Sequence, residues 1–391
     1  MVTAKGSKGL DKVREICQDR PRRVKELKVE GKKVVGYTCA YAPLEVLTAS
    51  DLIPYWVFGD MEEPITEADK LLPVSFCPFM RSFVDQVFKG KYDFLDGMVG
   101  VHSCDGQEKT MHALKSVINL PLFPYVDVPH TQHEWGLELF KGILSDYKKV
   151  VGSFVGKEIS ADKLKAAIEL HNQQRVLVRE LYELKKPDPP LISGTETLQV
   201  MIALVSIPVG EGNDLLRQVI SEVKERKDGP QKKAVRLLIG GSMIDNISLL
   251  EMIEEADASV VMDDNCVGSR AYFTDVRLTD DPVDGLAYRY LMEIKCPRTF
   301  KDITPGATGK DRMADLKYRY GYLGDYVSQW KVDGVIFLLL RCCDILGYEI
   351  VDIGDYLKSI DVPNIYLEHN YMVGELAALR TRVQAFLEMM A

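Results

Sequence analysis

Eight cysteines stand in this chain of 391 residues. Its first residues, MVTAKGSKGLDKVREIC, are charged and carry no apolar core of the kind an export signal needs. Disulfide frameworks belong to small secreted domains, so reduced thiols are the expectation here. Three uses remain open: buried core thiol, metal ligand or nucleophile. Cys39, Cys104, Cys266 and Cys343 each stand just past a segment with strand character, before a helix or loop. Cys77 opens a helical pattern as Cys-Pro, and Cys296 is likewise followed by proline in KCPRTF. Thiolates are favoured at helix N-termini, and open α/β sheets bind ligands outside the carboxyl ends of their strands. A buried core thiol is the default for any one free cysteine. Six at chain turns, three in each half, fit that default poorly. They are spaced 38, 27, 162, 30 and 47 residues apart. No close C-x-x-C pair of a zinc ribbon or ferredoxin is among them. Zinc is disfavoured, and any metal must be held by distant loops that meet in one cleft. Cys17 lies in a charged N-terminal helix and reads as structural. Of Cys342 and Cys343 only one faces a cleft easily, because successive strand-end side chains point to opposite sides.

The elements that must carry these turns alternate between strand and helix at both ends of the chain. In the first part, strands are expected over 33–37, 53–57, 94–101 and 121–128, with helices over 43–50, from Cys77 towards Gly90, and after Asp105. Residues 132–186 carry apolar residues at three- and four-residue spacing until Pro187-Asp188-Pro189-Pro190 breaks the pattern. Further helix runs to about Lys227, and KDGPQKK (227–233) reads as an exposed connection. Strands then recur over 234–241, 258–264, 334–340 and 364–368, with helices over 246–255, 313–331 and 374–389. Such alternation predicts an α/β protein with two doubly wound parallel-sheet lobes flanking a helical segment. The expected bounds are 1–130, 131–230 and 231–391. A hydrophobic fraction of 46% and a charged fraction of 27% suit a globular chain, and its length fits two to three domains at roughly 150 residues each. The apolar run Val335–Leu340 falls far short of the about 20 residues that span a bilayer, so no membrane partner is expected. A net charge of −9 argues against nucleic acid. Cytoplasmic location is the expectation.

The segments GYTCAYAPLEVLTAS, FCPFMRSF, FLDGMVGVHSCDGQEKTM, MDDNCVGSRA, VDGVIFLLLRCCDILGYE and IYLEHNYMVGELAALRTRVQAFLEMM resemble the 2-hydroxyacyl-CoA dehydratase D-component superfamily. That superfamily also takes in the subunits of ATP-dependent benzoyl-CoA reductase and the double-cubane cluster proteins. The resemblance runs over about residues 30–390. It implies an iron–sulfur cluster in the cleft between the two α/β lobes. Single-cubane members use three cysteines, which match Cys77, Cys104 and the cysteine of the CD pair, here Cys343 by its following aspartate and Gly-Tyr-Glu. Double-cubane members add three, matching Cys39, Cys266 and Cys296. All six are present, so the resemblance implies two sulfide-linked 4Fe–4S cubanes (8Fe–9S), with a single 4Fe–4S as the fallback. Cys342 departs from the aromatic or small residue that usually precedes the final ligand, which leaves Cys342 and Cys343 as alternatives. The resemblance also implies a separate iron–sulfur ATPase that injects single electrons, and an acyl-CoA or small unsaturated substrate.

Thiolates are soft, electron-rich donors, and hydrogen bonds to sulfur, charge and solvent access set a cluster's potential. Thr38, His102, Ser103 and Asn265 are candidates for such hydrogen bonds, with ordinary loop capping as the plainer use. Candidate proton donors are His102 and the pair Glu368-His369. Arg270, Arg298 and Lys301 are candidates for a CoA phosphate, against plain solvated surface charge. PGATGKD (305–311) lacks the spacing of a phosphate loop and puts Asp311 where Ser or Thr should hold magnesium, and Gly240-Gly241 is too short for a dinucleotide fingerprint. The chain is therefore not expected to hydrolyse ATP. The leading expectation is the catalytic component of a reductase of the benzoyl-CoA reductase type. A 2-hydroxyacyl-CoA dehydratase subunit and a non-catalytic electron-transfer subunit are the alternatives. Amphipathic surfaces in the helical middle and the C-terminal helix predict a homodimer or a paralogous heterodimer.

Overall fold

The structure is a computed structural model that describes residues 7–299 and 311–390. The first part of the chain runs α1 (Lys8–Gln18), α2 (Arg22–Val29), β1 (Lys33–Tyr37), α3 (Leu44–Thr48), β2 (Leu52–Trp56), α4 (Pro78–Phe88), β3 (Gly97–His102), α5 (Asp105–Val117) and β4 (Tyr125–Asp127). Four helices follow: α6 (Glu134–Val155), α7 (Ala161–Glu183), α8 (Gly194–Leu204) and α9 (Val209–Glu225). The rest runs β5 (Val235–Gly241), α10 (Ile247–Glu255), β6 (Ala258–Asp264), α11 (Ser269–Tyr272), α12 (Pro282–Tyr288), a wide turn at Arg289–Glu293, α13 (Arg312–Trp330), β7 (Gly334–Leu340), α14 (Asp344–Ser359), β8 (Asn364–His369) and α15 (Leu376–Glu388). The strands form two four-stranded sheets, β2-β1-β3-β4 and β6-β5-β7-β8, in which every ladder is parallel. The two-lobed α/β architecture expected from the alternation is therefore present. Lys301 and most of PGATGKD lie outside the described residues. Among the described residues no helix is long and apolar enough to cross a membrane.

Each sheet begins in its middle and reverses direction once, between β1 and β3 in one and between β5 and β7 in the other. At such a reversal the connections leave on opposite faces, and a crevice opens at the carboxyl ends of the strands. β5 and β7 are buried at every position, as their unbroken apolar runs require of strands covered on both faces. β4 is shorter than the expected 121–128. Met98 and Gly100 donate to the carbonyls of Leu122 and Pro124, but Pro121 and Pro124 have no N–H to return. The first residues of 94–101 lie outside β3: the Asp96 amide donates to the Val34 carbonyl, but it is the Asp96 carboxylate that accepts from the Val34 amide and from Lys28.

The long helices are fixed at their ends by local chemistry. Ser160 accepts from the Lys163 amide at the start of α7, and Ser193 and Glu196 form a reciprocal capping box on α8. Gly156 ends α6 with a φ of 69°. Gly240 and Gly241 serve the sheet. A Cβ on Gly240 would lie 2.5 Å from the Phe337 ring, and one on Gly241, at φ 155°, would run into the Leu338 carbonyl. Gly241→Ala should cost about 2 kcal/mol or more of unfolding free energy through overpacking and backbone strain. A urea midpoint lowered at unchanged m-value is the expected readout.

Candidate metal centre

A cavity of about 350 Å³ lies where the carboxyl ends of the two sheets face each other. Its walls include Cys39 just past β1, Cys77 at the N-cap of α4, Cys104 at the N-cap of α5, Cys266 just past β6, Cys296, and Cys342 with Cys343 before α14. The six cysteines singled out from the sequence are thus brought together, along with Cys342. Cys17 is apart, its thiol 3.3 Å from the Gln199 carbonyl. A larger hollow of about 680 Å³ beside the lysines of α6 holds no cysteine, so volume alone does not mark the site.

The backbone explains how Cys342 and Cys343 share a wall. Cys342 takes a φ of 59° and is exposed, whereas Cys343 is half-buried and caps α14. Burial pushes the Cys77 thiol up to about 12, and Cys343 adds to that rise ahead of Cys342. Burial likewise raises Cys296 to about 11, and it raises Cys39, Cys104 and Cys266. Each negative charge placed on one sulfur raises its neighbours further. A cation bound here must displace thiol protons, and in return it removes that mutual repulsion.

Donors reach several of the sulfurs. The Gln107 amide donates to Cys104 Sγ at 3.4 Å, the Arg270 guanidinium lies 3.6 Å from Cys266 Sγ, and Ser103 hydrogen-bonds Cys39. Soft thiol donors on both walls, with hydrogen bonds already aimed at sulfur, fit an iron–sulfur cluster. The other proposed tuning residues do different work. Thr38 donates to the Gln107 side chain, and Asn265 both donates to and accepts from the Ile244 backbone, tying two cavity loops together. His102 turns outward to Asp127 at 2.7 Å.

None of the candidate proton donors lines the cavity. Glu368 is exposed, 4.0 Å from Arg341. His369 is buried one strand away, with Nε2 unpartnered among the described residues and its pKa pushed down to about 4 by desolvation. Arg270 and Arg298 are neither solvated nor free for a phosphate. Arg270 makes a two-pronged ion pair with Asp264 at 2.8 and 2.9 Å. Arg298, stacked on Tyr41, donates to the carbonyls of Ser103, Val128 and Pro129. It thereby clamps the Cys296 segment to the first lobe. Asp264, in the sequence MDDNC, was the available signal for a buried cation partner beside Cys266.

The chain is similar along most of its length to several known proteins. It is 25% identical over 369 residues to the (R)-phenyllactyl-CoA dehydratase beta subunit of Clostridium sporogenes, covering 93% of this chain and 94% of that one. It is 29% identical over 382 residues to the putative dehydratase subunit YjiM of Escherichia coli, covering 94% of each. It is 24% identical over 359 residues to one of the subunits of benzoyl-CoA reductase from Thauera aromatica, covering 91% and 90%. These relatives are named as subunits of dehydratases, one of them putative, and of a reductase. The sequence model of 2-hydroxyglutaryl-CoA dehydratase, D-component, matches residues 39–390, from the first cavity cysteine to the end of the last helix, and the chain belongs to that family.

Proposed function

We propose that the chain is the iron–sulfur catalytic component of an ATP-dependent, low-potential reductase of the benzoyl-CoA reductase type. In this reading Cys39, Cys77, Cys104, Cys266, Cys296 and Cys343 hold two sulfide-linked 4Fe–4S cubanes, three thiolates to each. The observation that carries it is the gathering of those six thiols on one cavity between two sheets. When bound, such a cluster supplies single electrons at low potential. The protein's share is electrostatic. Ser103, the Gln107 amide and Arg270 stabilise negative sulfur, and Asp264 offsets the Arg270 charge, so the pocket stays close to neutral around a negatively charged group.

A separate iron–sulfur ATPase would supply the electrons, because the sequence offers no phosphate loop. The relatives are named as subunits, which supports a second chain, identical or paralogous. An acyl-CoA or a small unsaturated molecule is the proposed substrate class, and the cytoplasm the proposed location. A second reading, a 2-hydroxyacyl-CoA dehydratase subunit with a single 4Fe–4S cluster, is favoured by the dehydratase names among the relatives. Counting iron and acid-labile sulfide in anaerobically purified protein separates the two. About eight irons per chain are expected for the reductase and about four for the dehydratase. A colourless preparation without iron would overturn both.

A further inference from the structure

Three of the chain's six histidines gather near β3, α5 and β4: His102 and His112 lie against the Tyr125 ring, and His130 lies against His102. His102 ends β3, Asp105 and Glu108 stand three apart on the first turn of α5, and Asp127 ends β4. The ligating atoms of His102, Asp105 and Glu108 all lie within 4.8 Å of one another. We infer that these three residues form a site for one divalent transition cation, of the zinc or ferrous type, separate from the cysteine cavity.

The orientation of His102 supports the assignment. Its Nδ1 is 2.7 Å from Asp127 Oδ1, which leaves Nε2 facing the α5 carboxylates, 3.7 Å from Glu108 Oε2. A metal-bound imidazole is usually oriented in this way, its second nitrogen donating to a carboxylate. The distances also suit one ion. With bonds of about 2.0–2.2 Å, two ligand atoms on one cation lie at most about 4 Å apart. The His102–Glu108 pair already meets that limit, and the widest separation needs to close by less than about 1 Å. Unmet polarity lies beside the cluster, since the Tyr125 hydroxyl is buried with no hydrogen-bond partner among the described residues. One imidazole with two carboxylates selects a transition cation over magnesium or calcium, which prefer all-oxygen sets. Lys109, 3.1 Å from Glu108 and exposed, would give way to the ion. Asp105 also touches the wall of the cysteine cavity. A bound cation would thus fasten the end of β3 to the first turn of α5 across the turn that carries Cys104.

The test uses full-length, anaerobically prepared protein, with its iron content measured in parallel. Zn²⁺ is titrated by calorimetry and Co²⁺ by visible spectroscopy, in wild type, His102→Ala, Glu108→Gln and Asp127→Asn. The expected result is one Zn²⁺ per chain, and one Co²⁺ whose spectrum lacks thiolate-to-metal charge transfer. His102→Ala and Glu108→Gln should each weaken binding at least tenfold, and Asp127→Asn by about 10–100-fold. Iron content and far-UV circular dichroism should stay unchanged in all three. Glu108→Gln, a near-isosteric change close to the surface, keeps the question answerable if His102→Ala folds poorly. Binding that is absent in wild type, equal in His102→Ala and Glu108→Gln, or marked by thiolate absorption would overturn the site. None of these outcomes depends on how many cubanes the cysteines hold.

Discussion

Replacing Cys266 by alanine is expected to remove about half of the iron and nearly all of the turnover. With two cubanes the count should fall from about eight irons per chain to about four. Turnover with an ATPase partner and a reductant should drop more than about 100-fold, which corresponds to about 2.7 kcal/mol of barrier. The change is well suited to reporting on sulfur, because the loop around it is held by other bonds. Asn265 is joined to the Ile244 backbone in both directions, and Ser269 is joined to Asp263 through its amide and its hydroxyl. Loss of the thiol should leave this loop in place, with little change in circular dichroism. The single-cubane reading expects a different result, about four irons in wild type and the same in Cys266→Ala. Cys17→Ala is the control that should keep full iron, since its thiol lies outside the cavity. Wild-type iron of about eight that Cys266→Ala leaves untouched would remove Cys266 from the ligand set.

The parts of this fold that were legible in the sequence are those whose pattern is complete within one segment. β6 and β7 have the expected bounds because each is an apolar run with turn residues at both ends. The placement of six cysteines at strand and helix ends was legible for the same reason. The region from 269 to 293 was not. Its two short helices carry too few turns to show a period. They are held in place by long-range bonds, such as Arg289 to the Ala271 and Thr274 carbonyls and Arg179 to Asp275. The charged residues around the cavity were misread for a related cause. A sequence shows that Arg270 and Arg298 are cations but not that distant groups have been arranged to receive them. Both are about nineteen-twentieths buried, at 6% and 5% exposure. Nor does APLEVLTAS reveal that its glutamate is buried, since a partner for it comes from a helix 130 residues away.

That glutamate, Glu45, should control both the acid stability of the protein and the seating of two cavity cysteines. It is fully buried on α3, where it accepts from Arg175 of α7 and from the Tyr290 hydroxyl at 2.9 Å. Burial alone would push its carboxyl up, but the neighbouring charges, Arg175 foremost, outweigh that and hold it at about 2. A folded-state pKa below the unfolded one means stability that is present above about pH 4.5 and lost as the pH falls towards 2. The shift amounts to about 3 kcal/mol. His171, His130 and His369 act in the adjoining window. Desolvation lowers each to about 4, so the unfolded chain takes up protons between about pH 6.5 and 4 that the folded chain refuses. Buried Asp245, raised to about 7, offsets one of the three, and stability still falls there. Wild type should therefore lose stability in two successive stages on acidification.

Glu45→Gln keeps the shape of the side chain but leaves the Arg175 charge uncompensated beside buried Arg289. The cost at pH 7 should be about 3–5 kcal/mol, read as a lower urea midpoint at constant m-value. Below pH 4.5 the variant should lose less than wild type, its remaining loss coming from carboxylates such as Glu196 and Asp85 that are also held below their usual range, while its decline between pH 6.5 and 4 should persist. The same substitution should slow cluster reconstitution. α3 follows Cys39 closely and Tyr290 leads to Cys296, so the Glu45 carboxylate joins the backbone segments that carry two of the cavity thiols. A Glu45→Gln protein that matches wild type at pH 7 and loses as much stability as wild type below pH 4.5 would show that the Arg175 charge is balanced elsewhere in the core.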